Sequence, residues 1–256
     1  MDPLTTLLVF AVVALGGFVT GLNGFGFAVV GTALLAALLG PRTAIVVMIL
    51  PMLSTNVSLV RELSRDGLRR CVRRFWPYVT AALVGTVVGM LLLPRIPTRP
   101  LTLALGVFVF VYVVVSQPWL PVPGRSKFVS RCFRDGMATK ATLGLVSGLI
   151  FGASNVGVQV VAYLRRLDLD RPTFVGVVAM IFLGVSTVRV GTAAVLGLYD
   201  GSELFVLSAV AALPGLVGVA AGKRARATVP DAVQRAGTYL LLSVIAARLT
   251  TSGLGL

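Results

Sequence analysis

The residues that could do chemistry in this chain are few and sit in unexpected places. Asn23, Gly24 and Gly26 interrupt an apolar run that reads GFVTGLNGFGF from Gly17 to Phe27, and Gly152, Ser154 and Asn155 interrupt a second, GASNVG. Ser54, Thr55 and Asn56 follow Pro51, and Arg189 stands deep in a third run after Ser186 and Thr187. Amides, hydroxyls, glycine-exposed backbone N–H groups and a guanidinium form a set of hydrogen-bond donors, and the guest such a set suits is an oxyanion. The outer glycines, Gly17-x-x-x-Gly21 and Gly144-x-x-x-Gly148, read instead as close helix packing.

Most catalysis is excluded by what is missing. The chain has no histidine and only two cysteines, Cys71 and Cys132, and no acid falls inside an apolar run. That removes most metal sites, acid–base pairs and nucleophile triads. Gly24-Phe-Gly26 lacks the third glycine and the preceding strand of a dinucleotide fingerprint. No catalytic residue, no metal site and no cofactor are expected, and the chain does not read as an enzyme.

What must position these residues is a membrane bundle. Of the 256 residues 57% are hydrophobic and 12% charged, against roughly 45–50% and about 25% in a soluble domain. The net charge of +14 sits in short loops between apolar runs, which favours a topology signal over nucleic-acid binding. Runs long enough to cross lie at 42–60, 75–93, 98–117, 172–198, 204–221 and 234–250. The Arg-rich stretches Arg61 to Arg74 and Gly124 to Gly136 read as cytoplasmic, so both cysteines are expected as free thiols. Asp200 and Glu203, with no base beside them, read as outside, as does the N-terminus.

Parity then makes 138–164 a hairpin that enters and leaves on one face, with 4–39 its counterpart; two full crossings within 4–39 satisfy parity equally. Gly17-Phe-Val-Thr20-Gly21-Leu22 is echoed by Gly144-Leu-Val-Ser147-Gly148-Leu149. The loops that follow equivalent spans carry opposite charge, which implies inversion. The expected fold is an all-α integral membrane protein of two inverted repeats, each a broken-helix or re-entrant hairpin followed by three transmembrane helices. The first repeat covers 1–117 and the second 138–256, joined by a cytoplasmic linker at 118–137.

The two glycine motifs, GGFVTGLNGFGFAVVG and GLVSGLIFGASNVGVQ, resemble those repeated in both halves of the TauE/SafE family, also called the toluene sulfonate uptake permease family. Phe27 replaces the last glycine of the first cluster, Ala153-Ser154-Asn155 replaces glycines in the second, and the proline that usually follows is absent. The resemblance implies a permease of the cell membrane for sulfite, a sulfonate or a related carboxylate. Together these readings predict an alternating-access anion transporter, with Asn23, Gly24, Gly26, Ser54, Thr55, Asn56, Gly152, Ser154, Asn155 and Arg189 around a substrate between the two hairpin tips. Its expected partners are a small anion and lipid but no nucleic acid, with a homodimer left open. An anion channel and a non-transporting scaffold subunit are the alternatives.

Overall fold

The structure is a computed structural model that describes residues 2–24, 26–61, 65–115, 136–155, 157–164, 171–199, 202–226 and 228–254. All but the end of the expected linker at 118–137, and with it Cys132, lie outside the described residues. Every regular element among the described residues is helical. In the first half these are α1 (Pro3–Asn23), α2 (Phe27–Leu39), α3 (Pro41–Val47), α4 (Ile49–Val60), α5 (Arg65–Leu92), a 3-10 turn (Leu93–Arg95) and α6 (Thr98–Val115). The second half holds α7 (Met137–Ser154), α8 (Val158–Leu164), α9 (Arg171–Val195), α10 (Ser202–Ala225) and α11 (Asp231–Leu254). Five of these regions are long and apolar enough to cross a membrane, and the α3–α4 pair, bent by 41°, makes a sixth. The chain is a multi-pass membrane protein.

Both hairpins have unequal arms. The 21 residues of α1 and the 18 of α7 are each of crossing length, whereas α2 has 13 residues and α8 has 7. The arms of about a dozen residues expected for 138–164 are therefore a long helix and a short one. A second departure is in the run 42–60, which breaks at Met48. Pro51 has no N–H for the Val47 carbonyl, and the Ser208 hydroxyl of α10 donates to that oxygen at 2.8 Å instead. The bend is thus built into the sequence and repaired by a neighbouring helix.

Glycines set the two tightest seams. On α1, a Cβ at Gly17 would run into the Gly215 carbonyl and one at Gly21 into the Val219 carbonyl, so α1 and α10 touch backbone to backbone. On α7, Gly144, Gly148 and Gly152 press in the same way on the carbonyls of Tyr78, Ala82 and Thr86 in α5. Matching these contacts places Gly215 on Tyr78, and therefore Pro214 of α10 on Pro77 of α5, each a proline inside a helix. Each half's first long helix thus packs on the other half's penultimate long one.

The same contacts give directions. Rising numbers meet rising numbers along both glycine seams, so α1 follows α10 and α7 follows α5. Ser208 meets Val47 and Lys223 meets Ser58, so α10 also follows α3–α4. Leu59 clusters with Val175, and Ile49 with Ala193, so α9 runs against α4. Near α5, Gly184 faces Val79 and Leu83 while Ala193 clusters with Met90, so α9 follows α5. Hence α1, α4 and α10 point one way and α5, α7 and α9 the other. At one end of this bundle Arg42 donates to the Pro94 carbonyl at 2.9 Å, beside Gly197 and Leu198. At the other end Lys223 of α10 reaches Ser58, and Arg226, just past the end of that helix, reaches Gly21.

Candidate functional site

The first helix break is built by two glycines. Gly24, at φ 80°, closes α1 by donating its N–H to the Thr20 carbonyl at 2.7 Å, and Gly26, at φ 117°, opens α2. Both dihedrals are left-handed, where a Cβ is strained, and a side chain at Gly24 would also strike Val175. No side chain caps α2. The first N–H to reach back along it is that of Val30, which donates to the Gly26 carbonyl at 2.9 Å. The N–H groups of Phe27, Ala28 and Val29 are therefore the orphans of the helix start, at the positive end of its dipole.

Those three residues line a cavity of about 20 Å³ together with Thr20, Gly24 and Gly26. Asn56 and Met52 of α4 close one side and Phe182 of α9 another, with Gly157 and Val161 behind. Thr20 is 3% exposed and its hydroxyl has no hydrogen-bond partner. A buried orphan hydroxyl costs about 1–3 kcal/mol, which a bound acceptor would relieve. The cavity offers donors, no acid and a helix N-terminus, the chemistry of an oxyanion site.

The second break has another character. Asn155 closes α7 at φ 64°, the one residue other than glycine with positive φ among those described. Its side chain is fully buried; the amide nitrogen donates to the Thr32 hydroxyl of α2 at 2.8 Å, and the amide oxygen accepts from Arg189. Arg189 is itself 0% exposed and also donates to the Ile45 carbonyl, at the α3–α4 bend, at 3.3 Å. Its guanidinium carbon lies 5.3 Å from the centre of the Phe151 ring, a cation–π distance.

The expected site residues thus separate into three groups, with Gly152 apart from them. Gly24, Gly26 and Asn56 come together at the cavity, and Asn155 and Arg189 come together at the second break. The tips do not lie side by side along α9. Gly24 faces Val175 and Asn155 faces Arg189, fourteen residues later, roughly 21 Å of helix at 1.5 Å per residue. The third group bonds its own helix: Asn23 to Val19 at 3.2 Å, Ser54 to Pro51 at 2.8 Å, Thr55 to Met52 at 3.0 Å and Ser154 to Ile150 at 2.6 Å. Gly152 is part of the α5–α7 seam.

Thr20, Thr32, Phe151 and Phe182 escaped the reading of the sequence. Thr20 left a trace, since it and Ser147 put a hydroxyl at the same place in the two glycine motifs. The other three are apolar or commonplace residues in helices, and only packing reveals what they face.

Fold and cavity define a class: a multi-pass helical membrane protein with a small, largely apolar cavity that carries a few donors at a helix break. The profile of the sulfite exporter TauE/SafE family matches residues 9–249, nearly the whole chain, and the protein belongs to that family. It is a family of membrane transporters of the sulfite-exporter type rather than of enzymes. No curated protein and no solved structure matches the chain.

Proposed function

We propose that the protein is an alternating-access permease for sulfite or a closely related sulfur oxyanion, and that the anion binds in the cavity at the α1–α2 break. The observation that carries this reading is the meeting of an uncapped helix start with an unpartnered, buried threonine hydroxyl on one cavity wall. Phe27, Ala28 and Val29 present N–H groups, Thr20 and Asn56 add side-chain donors, and the glycines let backbone approach the ligand. At about 20 Å³ the cavity has room for about one water, so admitting sulfite requires the walls to move. A moving wall favours a carrier over an open pore. The opposed helix directions and exchanged glycine seams of the two halves support an inverted repeat, the architecture on which one half rocks against the other.

The test is uptake of labelled sulfite into proteoliposomes. Thr20→Val removes an unpartnered hydroxyl at nearly constant volume, so the fold is expected to keep or gain stability while transport falls about tenfold, equivalent to about 1.4 kcal/mol. Wild-type flux in that variant, with Asn56→Leu also active, rules the cavity out as the site. Counterflow against preloaded sulfite separates carrier from pore.

A further inference from the structure

The cavity leaves the second break unexplained. Arg189 is the one charged residue among the buried described residues. It meets only neutral acceptors, and its Nε has no partner. The Tyr199 hydroxyl, just beyond the end of α9, is also buried and unpartnered. Tyr199 shares a buried cluster with Val46 and Ala193, the latter one turn beyond Arg189 on α9; burial holds the phenol above its ordinary range, and the charge of Arg189 and the Ser208 hydroxyl act the other way. Here donors outnumber acceptors around a full positive charge, in an apolar setting where such a charge costs at least about 2.5 kcal/mol. What the cluster lacks is negative oxygen.

We propose that Arg189, Asn155 and Tyr199 form a second oxyanion station, in series with the cavity at the first break and divided from it by the rings of Phe151 and Phe182. This rests on the cavity reading. The partition is continuous: Arg189 lies over Phe151, Phe151 stacks on Phe182 at 5.2 Å and 15°, and Phe182 is a cavity wall. The negative face of an aromatic ring attracts the guanidinium and repels an anion. An anion therefore passes only when a ring swings aside. In the conformation seen, the Asn155 amide oxygen occupies the place on Arg189 that an anion oxygen would take.

One helix connects the stations. The start of α2 holds the first anion, and Thr32, five residues into the same helix, holds the amide of Asn155. A shift of α2 on filling or emptying the cavity draws Asn155 off Arg189 and uncovers the second station. The anion then replaces the amide oxygen as the acceptor for Arg189, and the orphan Nε and Tyr199 hydroxyl gain partners. No covalent bond changes in either step.

The decisive variant is Asn155→Asp, which gives Arg189 a permanent internal carboxylate and so fills the second station from within the protein. Equilibrium dialysis with labelled sulfite is expected to give two anions per wild-type chain and one per Asn155→Asp chain. Sulfite transport is expected to fall at least tenfold, with no loss of thermal stability. Arg189→Gln is expected to bind one as well; should it fail to fold, Asn155→Asp decides. Tyr199→Phe, which alters no charge, is expected to weaken the second binding step about threefold. If Asn155→Asp binds and transports like the wild type, or Tyr199→Phe leaves the second step unchanged, the second station does not exist and the cavity reading stands. If Thr20→Val and Asn56→Leu change nothing while Asn155→Asp removes a single bound sulfite, the cavity reading fails and the series arrangement falls with it.

Discussion

The two helix breaks come from the same sequence motif and do different things. At the first, glycines at Gly24 and Gly26 leave no side chain at the turn, so the start of α2 faces a cavity with its N–H groups unspent. At the second, Asn155 adopts the left-handed conformation that a glycine would, and its amide fills the space by bonding Arg189 on one side and Thr32 on the other. One break is open because it lacks a side chain; the other is latched because it has one. Asparagine is among the few residues other than glycine that take a left-handed cap at little cost in backbone strain, so the second turn can carry a side chain that the first cannot. The seams beneath the breaks have stayed alike, with Gly17 and Gly21 on α10 and Gly144 and Gly148 on α5.

The largest effect is expected where the halves agree. Gly148→Leu drives a side chain into the Ala82 carbonyl, and Gly21→Leu drives one into the Val219 carbonyl. Backbone cannot step aside as a side chain can, so each helix must move away from its partner, at about 3 kcal/mol or more. Both variants should lose most of their folded, monodisperse yield in detergent. Tolerance of one and not the other would show that only one seam holds the bundle, and would break the structural equivalence of the halves.

A smaller effect tests where the halves differ. The span of the first half is broken at Met48, whereas α9 runs unbroken for 25 residues. The break depends on Ser208, whose hydroxyl serves the Val47 carbonyl at 2.8 Å and receives the Leu50 N–H at 3.4 Å. Ser208→Ala leaves that buried carbonyl without a donor, and thermal unfolding should report a loss of about 1–3 kcal/mol. Thr192→Ala on α9 removes only a bond within its own helix, to Val188 at 2.9 Å, and should cost less. Equal losses would mean that the bend needs no repair.

How much of this could be read in advance follows from how far each residue's partner lies along the chain. Gly17, Gly21, Gly144 and Gly148 were legible as packing because small residues spaced by four mark one helix face whatever lies opposite. Arg189 was legible as a deep charge because depth is a property of its own span. Its partner was not, because Asn155 lies 34 residues away and the packing of α7 on α5 decides where it points. Ser54, Thr55 and Ser154 were indistinguishable from ligands on paper, since a hydroxyl in an apolar helix either faces a guest or bonds the preceding turn. Thr20 is the reverse case: a helix hydroxyl that would ordinarily back-bond, left without a partner at a cavity wall. Loop charge reports which face a helix end lies on but not how deep a break sits, so the different heights of the two breaks along α9 leave no mark in it.

The smallest effect concerns how the two long arms begin. Asp2 caps α1, its carboxylate accepting from the Thr5 hydroxyl and from the Thr5 N–H at 3.3 Å, whereas Gly136 gives α7 no side-chain cap. The hydrogen bond from the Thr5 hydroxyl, and after it the one from the Thr5 backbone, holds the Asp2 carboxyl below its ordinary value of 3.8. A depressed value in the folded state means that the cap's contribution is fully present above 3.8 and is lost as the pH falls below it. Protection of the Thr5 and Thr6 amides from hydrogen exchange, taken relative to the intrinsic rate at each pH, should therefore fall in acid and in Asp2→Ala. The start of α7 should show no such step over the same range. Asp2 is exposed and far along α1 from the break, so sulfite transport should be unchanged by Asp2→Ala. A fall in transport would mean that the start of α1 is coupled to the cavity at its end, and that the first long arm moves as one body.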